Sequence, residues 1–168
     1  MSNVEVWLRG PVPGVPTELM PVAHSLLQAR EELEPLVAPI GKTRLWVKPG
    51  GAASIGFHVL HLTGSTDRLF TYARGDSLTD GQRAQLAVEK EGGDPSRSAA
   101  DVLADFGAAI DGFLRQLRGW DPTTLDDFRG VGAKALPSNV RGLLFHAAEH
   151  AQRHVGQVKT TLVIQNGM

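Results

Sequence analysis

The chain contains no cysteine. That excludes disulfide bonds and thiolate-ligated zinc sites, and it leaves the protein without a thiol nucleophile of its own. Charge of one sign is lacking too: 17 Lys and Arg stand against 18 Asp and Glu, a formal net charge of −1. Arg68, Arg74, Arg83, Arg97, Arg115 and Arg118 are scattered along the chain. The basic stripe of a nucleic-acid binder is therefore missing, and no nucleic-acid partner is expected. No window has the apolar length of a membrane span, so no membrane association is expected. Residues Met1 to Glu5 contain no basic region leading into an apolar one. No export signal is expected from them, and the cytoplasm is the expected compartment. Repeats and low-complexity tracts are absent. The 168 residues suit a single domain, 1–168, with a sizeable core.

What is present is helical periodicity. A first segment, about Thr17 to Ala38, carries Leu19, Val22, Ala23, Leu26, Leu27, Leu33 and Leu36 on one stripe. Pro21 belongs to a first turn, so the regular helix is expected from Met20, with Pro39 and Gly41 closing it. A connector with Trp46 and Pro49 leads to a second helix, about Ala52 to Ala73, stopped by Gly75. Thr79 to Glu89 is expected as a short outer helix before the break at Gly92 to Pro95. Ser98 with Asp101 is a variant capping box opening a third long helix that ends at Gly119. Trp120 to Pro137 is expected as an irregular loop. Within it, Arg129 to Gly132 has too few glycines, wrongly placed, for a phosphate loop and is read as a turn with no binding role. Ser138 or Asn139 caps a fourth long helix reaching about Ile164. Four long amphipathic segments predict an all-α four-helix bundle with a short extra helix between the second and third. Its connections are too long to assume simple up-down-up-down neighbours.

All six histidines fall in these helices. His58 and His61 are three apart in the second, with Ser65 and Arg68 on the same side. His146, His150 and His154 step by four in the fourth, one helical turn at a time. A lone pair at that spacing is usually a packed or surface pair. A triple flanked by apolar residues, matched by a second cluster on another helix, points instead to a metal. If His61 met His150 and His154, three nitrogens would hold an ion with a coordination position left over, the signature of a reactive rather than a structural metal. Spacing alone does not choose between the pairs 146/150 and 150/154.

The runs Ser54 to Leu62 and Leu144 to Gln157 resemble those of the DinB superfamily, the damage-inducible and bacillithiol- or mycothiol-transferase-like bundles. The resemblance extends over nearly the whole chain. Its pattern has a ligand before a leucine in the second helix and two at H-x3-H preceding x-G-Q. Mapped here, this selects His61, His150 and His154. It implies a divalent ion, Zn2+ or Ni2+, and commonly a homodimer. It further implies activation of a low-molecular-weight thiol, such as bacillithiol or mycothiol, for transfer to an electrophile. A bound thiol or water loses its proton more easily beside a divalent ion.

No catalytic residue is identified by the sequence. His58 and His146 are candidates for the second shell or for an alternative ligand set. Glu149 is a candidate proton shuttle, but a solvated helix position is favoured. Arg68 is a candidate clamp for a substrate carboxylate, but an exposed or capping role is favoured. Gln157 is a candidate for orienting a ligand ring. Two other functions compete with the thiol transferase: a non-catalytic metal-binding or stress-associated bundle, and a metal-dependent hydrolase.

Overall fold

The computed structural model describes residues 4–167; Met1 to Asn3, where the reading for an export signal begins, lie outside them. Its elements are α1 (Met20–Val37), α2 (Lys42–Leu45), α3 (Ile55–Ala73), α4 (Asp80–Lys90), α5 (Ala99–Arg118), β1 (Phe128–Val131), β2 (Leu136–Asn139) and α6 (Val140–Asn166). The four long helices form a ring in which α6 lies between α1 and α3, and α5 lies between them on the other side. The pairs α1/α3 and α5/α6 are thus diagonal, and each is joined by a long connection, as the bundle expectation allowed. None of the described helices is long and apolar enough to cross a membrane.

Each long helix turns its apolar stripe into the ring. Leu26 and Leu33 of α1, Val59, Leu62 and Phe70 of α3, Phe106 and Ile110 of α5, and Leu144 and Val158 of α6 are essentially inaccessible and belong to one cluster. Phe70 stacks on Phe113 with ring centroids 4.7 Å apart. The third helix starts as expected: Ser98 Oγ accepts from Asp101 N, and the Asp101 carboxylate accepts from Ser98 N. Asn139 is the cap of α6, accepting from Gly142 N at 2.7 Å. Ala147, Ala148 and Ala151 are buried on α6, and such small side chains let its backbone come close to its neighbours.

Three local expectations are corrected. The second long helix begins at Ile55 rather than Ala52, because Ser54 Oγ caps Phe57 N after a tight turn at Pro49–Gly51. The connector before it contains the short helix α2. The stretch read as irregular, Trp120 to Pro137, contains an antiparallel hairpin pairing Phe128 with Asn139 and Val131 with Leu136. Its strands have four residues each, and Pro137 and Gly130 sit opposite one another, so no period-2 pattern could mark them. Arg129 serves the fold, donating from Nε to the carbonyl of Ala73 at the end of α3.

Trp46 fixes the connector. Its indole N–H donates to Arg97 O at 2.9 Å. A Cβ on Gly56 would lie 2.9 Å from the ring, and one on Gly93 would lie 2.3 Å from it. Gly93 also has φ +108, a left-handed conformation that favours glycine.

Candidate metal centre

The capped start of α3 sets the rotation of that helix. His58, His61, Ser65 and Arg68, spaced by three, four and three, share one face, while Ile55, Val59, Leu62 and Phe70 enter the core. The polar face meets α6 where His150 and His154 occupy successive turns. One nitrogen from each of His61, His150 and His154 lies within 4.8 Å of the others, making the three a group that can hold a metal ion. The ring centroids are 5.2 Å apart for His61 and His150, 4.8 Å for His61 and His154, and 4.4 Å for His150 and His154.

A separate partner engages the Nδ1 of each ring. His61 Nδ1 lies 2.7 Å from Glu89 Oε2. An ionised carboxylate only accepts, so His61 carries its proton on Nδ1 and leaves Nε2 free. His150 Nδ1 lies 3.2 Å from Ser65 Oγ, whose own proton goes to Leu62 O, so His150 donates there. His154 Nδ1 lies 3.1 Å from His58 Nδ1. The Nε2 atoms of His150 and His154 are 3.2 Å apart. Two nitrogens on one tetrahedral zinc ion, each at about 2.0 Å, would be about 3.3 Å apart. Two lone pairs facing one another at such a distance repel unless a proton or a cation sits with them. The donor set therefore fits a divalent ion.

The electrostatics favour the ligand form. Burial pushes His58 and His150 down to about 4, with the neighbouring His61 adding to both shifts. Burial, then the charges of His150, His61 and His58, push His154 down to about 3. These three rings are consequently neutral at neutral pH, the form in which imidazole binds metal. Phe57 stacks on His61, with planes 6° apart and centroids 5.4 Å apart.

The structure places the remaining sequence candidates less centrally. His146 is exposed and lies 2.6 Å from Glu149, so it stands outside the converging set despite its spacing. Glu149 is occupied by His146 and by both of its oxygens on Arg153. Burial acts to raise its pKa, but Arg153 and His146 hold it below the ordinary value. Gln157 is exposed and lines a cavity of about 520 Å3 together with Ala52, His58, Arg153 and Thr161. That cavity reaches the cluster at His58, the residue behind His154.

Arg68 is neither exposed nor a cap. Its guanidinium is buried and donates from both terminal nitrogens to the two oxygens of Glu89, each at 2.7 Å. Glu89, on the short outer helix α4, is the residue that sequence reasoning missed. Burial raises its pKa, yet hydrogen bonds from His61 and Arg68 keep it below the carboxylate range. The available signal was the recurrence of Gln82, Gln85 and Glu89 on one face of α4. It is a polar inward stripe, and a search for apolar stripes passes over it.

A ring of four helices with three histidines converging where α3 meets α6 defines a helical bundle with a candidate metal centre. The chain belongs to the DinB superfamily, whose profile matches residues 25–158. Among solved structures it is similar to the "conserved protein of locus from Enterococcus faecalis" at 19% identity. The likeness covers 88% of this chain and 96% of that one, with a TM-score of 0.66, and at this identity it shows the shared fold. No curated protein matches the chain.

Proposed function

We propose that His61, His150 and His154 hold one divalent ion, Zn2+ or Ni2+, and that the protein is a metal-dependent transferase for a low-molecular-weight thiol. The observation that carries this reading is the convergence of three imidazoles whose Nδ1 atoms are engaged elsewhere. A divalent ion with three neutral ligands keeps its full charge and promotes loss of the proton from a thiol or water bound beside it. The chain has no cysteine, so the sulfur comes from a separate molecule such as bacillithiol or mycothiol. In the transfer the thiol loses its proton, its sulfur bonds to an electrophilic carbon, and the displaced group leaves with the bonding electron pair. Ser65 accepts the Nδ1 proton of His150, and His58 shares a proton with Nδ1 of His154. Homodimer formation, implied by the family, belongs to this reading and is testable by sedimentation.

A non-catalytic reading, in which the ion ties α3 to α6, is favoured by one observation: the cavity beside the cluster touches His58 but none of the three ligands. Cobalt substitution separates the two. A thiol-transferase centre should change its visible spectrum on adding thiol, and the change should vanish in His154→Ala. A spectrum indifferent to several thiols removes the transferase reading. If His150→Ala retains full metal while His58→Ala or His146→Ala loses it, the ligand assignment is wrong.

A further inference from the structure

The carboxylate that engages His61 comes from outside the four-helix ring. Helix α4 rests on α3 through a polar face. Gln82 Nε2 donates to Asp67 Oδ2 at 2.6 Å and to Thr71 Oγ1 at 2.7 Å. About two turns further on, Glu89 meets Arg68 and His61. Its side chain is only 3% exposed. A buried ion pair is weak evidence of stabilisation, because desolvating both charges offsets their attraction. An apolar contact would dock the helix at less cost, so this pair calls for another reason.

The backbone of α3 makes room for it. A Cβ on Gly64 would lie 2.3 Å from Glu89 Oε1, 2.6 Å from Gln85 Nε2 and 2.9 Å from an Arg68 terminal nitrogen. Gly64 thus lets the carboxylate lie against the helix between His61 and Arg68, where both of its oxygens are used. Arg68 fixes the carboxylate in two dimensions, and Oε2 keeps the second contact at Nδ1 of His61.

We propose that Glu89, clamped by Arg68 and seated over Gly64, is a positioning residue that orients His61 toward the ion, making α4 part of the metal centre. This rests on the reading that the three histidines bind a divalent ion. A carboxylate behind a ligand histidine fixes its tautomer and ring orientation and raises its basicity, and removing such a partner typically weakens metal binding by about 10–100-fold. The coupling is reciprocal: whatever Glu89 adds to metal affinity, the bound metal returns to the docking of α4.

The test is a Zn2+ competition titration against a chromophoric chelator on the full chain. It compares the parent protein, the charge-balanced Arg68→Met/Glu89→Gln pair, and Gly64→Ala, which displaces the carboxylate without altering a polar group. Both variants should bind Zn2+ about 10–100-fold more weakly with unchanged circular dichroism. Zn2+ should also slow amide exchange in α4 of the parent. Parent protein that binds no Zn2+ defeats the metal reading itself and this inference with it. Parent binding with both variants within about threefold of it overturns the role of Glu89 while leaving the three-histidine centre standing. If the double variant fails to fold, Gly64→Ala and the exchange of α4 decide the matter.

Discussion

Acid should destabilise the metal-free protein over a window set by its histidines. His58 and His150 are depressed from 6.5 to about 4 and His154 from 6.5 to about 3, burial being the main cause in each. In the unfolded chain the same rings titrate near 6.5. Between these values the unfolded state binds more protons than the folded one, so stability rises with pH. Read downward, stability is full above about pH 6.5 and is lost as the pH approaches the folded values. At pH 5 an unfolded histidine is almost wholly protonated while these folded ones are not, costing about 2 kcal/mol for each. The three together remove roughly 6 kcal/mol, a large share of the 5–15 kcal/mol that holds an ordinary domain. The window is free of the exposed carboxylates Asp94, Asp101, Asp121 and Asp126, all held below their ordinary values by local hydrogen bonds.

The assay is urea unfolding of chelated protein at pH 7, 6 and 5, followed by circular dichroism. His150→Gln/His154→Gln should keep about a third of the parent's pH dependence, because only His58 of the three remains; the comparison uses slopes, so the packing cost of glutamine does not enter. A parent protein whose stability changes by less than about 1 kcal/mol between pH 7 and 5 would refute the reasoning. So would a double variant with the parent's slope.

Chelation at neutral pH should lower the melting temperature, since an ion bound only by the folded state stabilises it by mass action. The far-ultraviolet spectrum at room temperature should stay helical, because the apolar cluster joins α1, α3, α5 and α6 without the ion; complete loss of helix would recast the ion as structural. Arg68→Met alone should cost about 3–5 kcal/mol in urea unfolding, because it leaves a buried carboxylate without its main counter-charge. Adding Glu89→Gln should recover most of that loss, and a double variant no more stable than the single one would mean that the pair is better solvated than its burial indicates.

The sequence made the ring of helices legible because each long helix repeats its apolar residues at the helical period, and α3, α5 and α6 each start on a capping side chain. Ser98 acts as the cap that its position predicted, and of the two candidates Ser138 and Asn139 it is Asn139 that caps α6. The hairpin escaped because its four-residue strands contain a glycine and a proline and hold together through pairing across the turn. The convergence of the three histidines was accessible only in part. Spacing proposed two overlapping pairs on α6, and the structure separates them: His150 is turned inward against Ser65, whereas His146 stays exposed beside Glu149. Nothing in a four-residue step encodes that difference; it follows from which arc of α6 the apolar residues Leu143, Leu144, Ala147 and Ala151 turn toward the core.

Glu89 shows why the surroundings of a site are harder to read than its ligands. A ligand pair on one helix leaves a local trace in spacing, whereas Glu89 meets His61 across 28 positions and from a helix outside the ring. Taken alone, α4 looks like a solvated surface helix with a sound capping box at Thr79 and Gln82. Arg68 looks like one more scattered cation in a chain of balanced charge. Only the bare backbone at Gly64 brings them together, by leaving space for a carboxylate between two turns of α3. A glycine inside an otherwise well-formed helix costs about 1 kcal/mol relative to alanine, so its presence there asks for a close approach from a neighbour. That neighbour is the charged group that orients His61, and the same glycine links the packing of an outer helix to the chemistry of the centre.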